Sequence, residues 1–242
     1  MHRLVRVLTL SIAVLFIFSC GKSCQIVHAP NWQNTALTAM ESVVKVEIYE
    51  HDTTLTLRGI GSGFVITSDG YVITNAHVVV NTLRLKDPEI HLVFKDHRRF
   101  KVSSVVALTE YDLALLKVSA EYLTPIKLEP ELPKIGAPVI AIGTPWPYEF
   151  SVMQGIVSHT HVRRADPEVF ESIQHTAAIN SGCSGGPLIN VEGKVIGINH
   201  AGGINHGERL EGVGLAIPTA TLIDFLKKLI EKELTDLEEI PS

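Results

Sequence analysis

Cysteine is scarce in this 242-residue chain, with three in all, at positions 20, 24 and 183. None of them pairs with histidine at a zinc-like spacing. The 11 histidines do not change this, because His159 and His161 lie only two apart and those at 91, 97, 175 and 206 are scattered, with no HExxH arrangement. No metal and no cofactor is therefore expected. Positive charge is also thin. A formal net charge of −5 and the absence of any basic block argue against nucleic acid as a partner. Long apolar runs are missing too: the stretch from Leu8 to Phe18 is about 11 residues, too short for a comfortable membrane span. Repeats and low-complexity tracts are absent. With 45% hydrophobic residues the chain has ample material for the core of one compact unit plus terminal extensions.

What is present is concentrated in Gly182-Cys183-Ser184-Gly185-Gly186-Pro187. A serine attacking a carbonyl creates an oxyanion, and a pair of backbone N–H groups in a tight turn is its simplest stabiliser. Gly182 and Ser184 would supply that pair, with Cys183 contributing mainly backbone between them. The glycines open conformations closed to other residues and leave a substrate room. Taken alone, the hexapeptide also fits an ordinary glycine-rich turn between strands.

A serine hydroxyl is a weak nucleophile at neutral pH, so it needs an imidazole to take its proton and a carboxylate to orient the imidazole. His77 follows the strand-like Gly70-Tyr71-Val72-Ile73, in Thr74-Asn75-Ala76-His77-Val78-Val79-Val80. Asp112 stands at the mouth of the apolar run Leu113 to Val118. A charge beside such a run needs a partner if it is buried. Each residue also has a plain reading on its own: a satisfied core histidine, and a solvated strand-end aspartate.

Gly61-Ser62-Gly63-Phe64-Val65-Ile66, the Thr74–Val80 segment, the strand from Asp112, Ala177-Ala178-Ile179-Asn180 before the serine turn, and Gly214-Leu215-Ala216-Ile217-Pro218 together resemble the HtrA/Deg branch of trypsin-like serine proteases. They stand in that family's order, and the likeness covers residues 37–228. The resemblance implies an all-β fold of two antiparallel six-stranded barrels with a C-terminal α-helix. It also implies His77 as general base, Asp112 as orienting carboxylate, Ser184 as nucleophile and 182–184 as the oxyanion turn. It further implies polypeptide substrates and a possible homo-trimer. Two features depart from the family pattern: Cys183 stands where asparagine is usual, and few residues follow Pro218 where many relatives continue into PDZ domains that capture peptide ends.

The resemblance also bears on substrate choice. The residue six before the nucleophile, at the pocket base in trypsin-like folds, is Ala178, which has no charge to pair with Lys or Arg. Ile179 resembles the residue that shallows the pocket, so cleavage after small aliphatic residues is expected. Acidic specificity is the competing reading. Its candidate is His200, close to where glutamyl endopeptidases place a pocket histidine; the apparent register puts Asn199 at that position instead, and strand alternation would then turn His200 away.

Strand-like runs are expected at Val43–Tyr49, Gly63–Thr67, Tyr71–Thr74, Ile90–Phe94, Lys101–Ala107 and Leu113–Val118, forming a first barrel within 37–124. A linker at 125–133 leads to a second barrel within 134–218. There, runs are expected at Val139–Ile142, Ser151–Thr160, Phe170–Gln174, Pro187–Asn190 and Lys194–Asn199. A helix then starts near Thr221, where Thr221 and Asp224 have capping-box spacing and Leu222, Phe225, Leu226, Leu229 and Ile230 form an apolar face.

At the other end, His2, Arg3 and Arg6 precede the short apolar run, as in an export signal. Ile17-Phe18-Ser19-Cys20-Gly21 resembles a bacterial lipobox, which makes Cys20 a lipidation site and residues 21–36 a tether. An uncleaved signal anchor and a secreted form remain alternatives. Cys24 and Cys183 are read as thiols, not as a bridge. The expected function is a membrane-tethered extracytoplasmic serine endopeptidase; the rival is a catalytically silent binding protein on the same fold.

Overall fold

The computed structural model describes residues 31–80, 82, 85–162, 171–205 and 208–238. The export signal, Cys20, Cys24 and the first ten residues of the expected tether lie outside the described residues. The tether itself is shorter than expected at its far end, because a helix, α1, spans Trp32–Met40. The Asn31 side chain caps it by accepting from Asn34 N at 3.3 Å, while Ala36, Ala39 and Met40 bury its inner face. A polar, helix-compatible stretch has thus been ordered by a cap and three apolar contacts.

Six strands follow: β1 (Val43–His51), β2 (Leu55–Val65), β3 (Tyr71–Thr74), β4 (Pro88–Phe94), β5 (Arg99–Leu108) and β6 (Leu113–Val118). A short helix, α2 (Ala76–Val80), separates β3 from β4. The strands close in the order β1-β2-β3-β6-β5-β4. A second closed barrel, β10-β11-β12-β9-β8-β7, is made by β7 (Pro138–Gly143), β8 (Ser151–Val162), β9 (Ser172–His175), β10 (Pro187–Ile189), β11 (Val195–Asn205) and β12 (Glu208–Pro218). Closure leaves neither sheet an edge open to further strand pairing.

Alternation along the strands distributes the apolar residues between three cores. In β1, Val44, Val46 and Ile48 fill the first barrel; in β6, Ala114, Leu116 and Val118 do the same. Val139, Ala141, Val157 and Leu188 fill the second. The residues that turn the other way, such as Val43, Phe64, Ile73 and Leu113, meet Ile140, Ile142, Ile189 and Ile198 in a third cluster that joins the barrels. The linker is stitched to both sides: Ile126 N donates to Val65 O (3.0 Å), and Val195 N donates to Lys127 O (2.8 Å).

The C-terminal helix, α3, spans Thr219–Glu238. It begins two residues earlier than the capping-box spacing implied, because β12 runs on to Pro218 and the Thr219 hydroxyl is tied to Val195 O at 2.9 Å. Thr221 and Asp224 therefore lie inside the helix. Leu222 and Phe225 are buried in the inter-barrel cluster, whereas Ile230, assigned to the same face, is 59% exposed. Leu226 and Leu229 also pack against that cluster, so Ile230 alone of the five turns outward.

Candidate active site

Asp112 follows a 3-10 turn, Thr109–Tyr111, and takes up the left-handed conformation (φ 48°), which aspartate tolerates better than most residues. The kink turns its backbone and side chain toward α2. Its carbonyl accepts from Ala76 N (3.1 Å) and from the Asn75 side-chain amide (2.9 Å). Its carboxylate takes the backbone N–H of His77 at 2.9 Å and the ring Nδ1 at 2.8 Å. One carboxylate thus fixes both the start of the helix and the imidazole. Donation from Nδ1 leaves Nε2 with the lone pair, the form a general base needs. The ring is about half exposed.

The serine turn belongs to the second barrel but is held by the first. Ser184 O accepts from Ser62 N at 2.8 Å, and the Ser62 hydroxyl donates to Gly182 O at 2.6 Å. The same hydroxyl accepts from Thr144 N at 2.9 Å, and the Thr144 hydroxyl donates to Gly61 O at 2.9 Å. From the other side Gly185 N donates to Asn199 O at 2.8 Å, and the Asn199 amide reaches Gly186 O and Pro187 O, each at 3.1 Å. Gly182 (φ 98°) and Gly185 (φ 87°) both need the left-handed region.

Cys183 N donates to Asn180 O at 2.9 Å. Among the described residues, neither Gly182 N nor Ser184 N donates a hydrogen bond. Cys183 therefore does not add a third donor, and the two N–H groups on either side of it are unspent. Its thiol is buried in the second barrel's core and accepts weakly from Asn180 N at 3.5 Å.

The Ser184 hydroxyl donates to His200 O at 3.3 Å, and among the described residues it makes no hydrogen bond to His77. Of the other residues singled out, Ala178 is exposed and Ile179 is buried beside Cys183. The buried ring of His200 lies against Ser172 and Asp112. A further buried imidazole, His175, stacks on Gly214: a Cβ there would sit 2.3 Å from the ring. Beside the turn is a cavity of about 270 Å³, lined by Leu57, Ile60, Trp146 and Gly182 among others.

Sequence reasoning missed three positions that matter here: Ser62, Thr144 and His175. A glycine-serine-glycine triplet inside a β-strand was the available signal for the first, since such small residues mark a close approach by another segment.

The trypsin-like peptidase domain family matches residues 61–198, more than half of the chain. The chain belongs to this family. Within it, the likeness is to the DegP-like, or HtrA/Deg, branch. Over 173 residues the peptidase domain is 40% identical to the "Probable periplasmic serine endoprotease DegP-like" of Halomonas elongata, covering 71% of this chain and 35% of that protein. It is 39% identical, over the same shares, to the protein of that description from Pseudomonas putida strain F1. The chain thus spans about a third of the length of these curated relatives. The crystal structure of the serine endoprotease from Yersinia pestis superposes with a TM-score of 0.67 at 34% identity, covering 84% of this chain and 68% of that one.

Proposed function

We propose that this peptidase domain is a serine endopeptidase in which His77, Asp112 and Ser184 form the catalytic triad. His77 takes the Ser184 proton as the hydroxyl attacks a peptide carbonyl, then passes it to the departing amine. Water hydrolyses the acyl-enzyme by the reverse proton path. The N–H groups of Gly182 and Ser184 stabilise the oxyanion, and Asp112 stabilises the imidazolium. The observation that carries this reading is the doubly bonded His77–Asp112 pair together with the two unspent N–H groups in a turn pinned between the barrels. Attack requires the Ser184 hydroxyl to leave His200 O for Nε2 of His77.

Ala178 and Ile179, which carry no charge, are the proposed basis for cleavage after small aliphatic residues; acidic specificity through His200 is the rival. The names of the relatives support a periplasmic location, and unfolded or exposed protein segments are the proposed substrates. Tethering through Cys20 and assembly as a trimer belong to the same proposal. A catalytically silent binding protein is the other reading, favoured by the serine hydroxyl resting on His200 O.

An active-site-directed fluorophosphonate decides between them. Wild-type protein should be labelled and the Ser184→Ala variant should not; an unlabelled, folded wild type would overturn the serine-protease reading, and labelling that appears only with oligomer or ligand present would mark an enzyme activated by assembly or by a partner. Cleavage-site profiling on a denatured proteome then reads the pocket, and enrichment of Glu or Asp before the scissile bond overturns the aliphatic assignment.

A further inference from the structure

The cavity beside Gly182 adjoins the nucleophile turn without belonging to the proposed pocket. Neither Ala178 nor Ile179 lines it; across Gly182 it opens onto β2 of the first barrel and the segment after β7. Leu57 and Ile60 form its β2 wall, although residues three apart on a regular strand would face opposite ways. A β-bulge brings them together. The register passes from Gly59 opposite Ile48 to Leu57 opposite Tyr49, so Arg58 is the extra residue and the alternation is reset there. The Arg58 guanidinium, also at the lining, is paired with Glu50 at 2.7 Å. Trp146 supplies a further wall and is 69% exposed. The segment that carries it is well held: the Thr144 hydroxyl donates to Gly61 O at 2.9 Å, Trp146 N donates to Ser181 O at 3.3 Å, and Glu149 pairs with Lys45 of β1. An exposed indole on a segment fixed in this way offers apolar area to a ligand with little left to order on binding.

We propose that this cavity binds an apolar side chain of the substrate on the leaving-group side of the scissile bond. The inference rests on the serine endopeptidase reading above and adds a second point of substrate selection to it. With the acyl carbonyl oxygen on the N–H groups of Gly182 and Ser184, and the acyl side chain toward Ala178 and Ile179, the chain beyond the scissile bond departs on the other side of Gly182. There it meets Leu57, Ile60 and Trp146. At about 270 Å³ the cavity is small beside pockets that enclose a drug-sized ligand, and it suits one large side chain, aliphatic or aromatic. A side chain seated there holds the scissile amide against the nucleophile, and an amine approaching the acyl-enzyme from the same side is held in the same way.

Acyl transfer isolates this site. The full-length protein is given a peptidyl-valine p-nitrophenyl ester together with an amino-acid amide. The amine nitrogen attacks the Ser184 ester carbonyl and gives a proton to His77; the ester C–O bond breaks, Ser184 takes the proton back from His77, and a new amide is released. Water competes and releases the acid. The ratio of amide to acid therefore reads how well the amine is held, whatever fraction of the enzyme is active. Phenylalaninamide and leucinamide should capture the acyl group about tenfold better than glycinamide. Trp146→Ala and Leu57→Ser, each checked for folding by thermal melting, should bring that preference down toward unity. Equal capture of phenylalaninamide and glycinamide by wild type, or a preference untouched in both variants, overturns the proposal. Preferential capture of aspartic acid diamide would hand the site to Arg58 and overturn its apolar character. A wild type that never turns over the ester removes the serine endopeptidase reading and this inference with it, and that result is seen before any amine is compared.

Discussion

The Ser62 hydroxyl donates to the carbonyl of Gly182 at 2.6 Å, joining residues 120 apart in the chain and lying in different barrels. That bond holds the peptide next to the proposed oxyanion donors, and Thr144 N in turn donates to the Ser62 hydroxyl oxygen. The nucleophile turn is therefore built by one barrel and aimed by the other.

Removing that hydroxyl leaves a buried carbonyl and a buried N–H without their partner. Ser62→Ala should cost about 1–3 kcal/mol of stability. It should also slow fluorophosphonate labelling by more than the stability loss alone explains, since the turn loses its anchor. Thermal melting and labelling rates measured together check this; an unchanged labelling rate in a folded variant would show that the turn holds itself.

Two left-handed glycines give contrasting expectations. At Gly185 a Cβ would lie 2.1 Å from Ser62 O and 2.3 Å from the Thr74 hydroxyl, whereas at Gly212, also at positive φ, nothing lies within 4 Å. Gly212→Ala should cost about 1–2 kcal/mol from backbone conformation alone. Gly185→Ala must displace β2 backbone as well, so it should abolish labelling and leave little folded protein. Equal melting temperatures for the two variants would refute the clash.

The difference between these glycines also marks what the sequence could tell. Local pattern sufficed for elements set by their own sequence: Tyr71–Thr74 and Leu113–Val118 have the expected limits and Asp112 directly precedes β6, although His77 lies in the short helix α2 where a strand end was expected. It failed where another segment decides. Trp32–Met40 has a helical order that depends on apolar contacts below it, and Ser62 has a partner on the other barrel. His175, one of 11 histidines, becomes special only because Gly214 lies beneath it.

Lys45 and Glu47, adjacent on one face of β1, form a buried ion pair at 2.7 Å, extended by Glu149 on the segment after β7 and by Arg99 at 3.0 Å from Glu47. Burial opposes the Lys45 charge, but Glu149 and Glu47 outweigh it and raise its pKa. Lys45→Met leaves the Glu47 carboxylate with only Arg99 and the Tyr49 hydroxyl, at 3.0 Å, and should cost about 3 kcal/mol. The double variant Lys45→Met/Glu47→Leu, which removes both charges, should recover most of that. Chemical denaturation measures both; a double variant as unstable as the single one would mean that packing, not charge, governs the site.

His175 makes stability depend on pH. Burial of its ring lowers the pKa from the ordinary 6.5 to about 4, even with Asn199 and the Ala177 backbone facing it, and neither ring nitrogen has a hydrogen bond of good geometry. Between pH 6.5 and 4 the unfolded chain binds a proton that the folded protein refuses. Stability from this group is therefore complete above pH 6.5 and lost progressively as pH falls toward 4. The loss amounts to about 3 kcal/mol, or about 1.4 kcal/mol per pH unit through the middle of the window. His175→Leu removes the titration, and because the two nitrogens lack partners, an apolar side chain forfeits no hydrogen bond there. Denaturation measured at pH 8, 6 and 4 should show the wild type falling away from the variant by that amount as the pH drops. Parallel curves for the two proteins would mean that the buried imidazole accepts its proton without unfolding, and would sink the assignment.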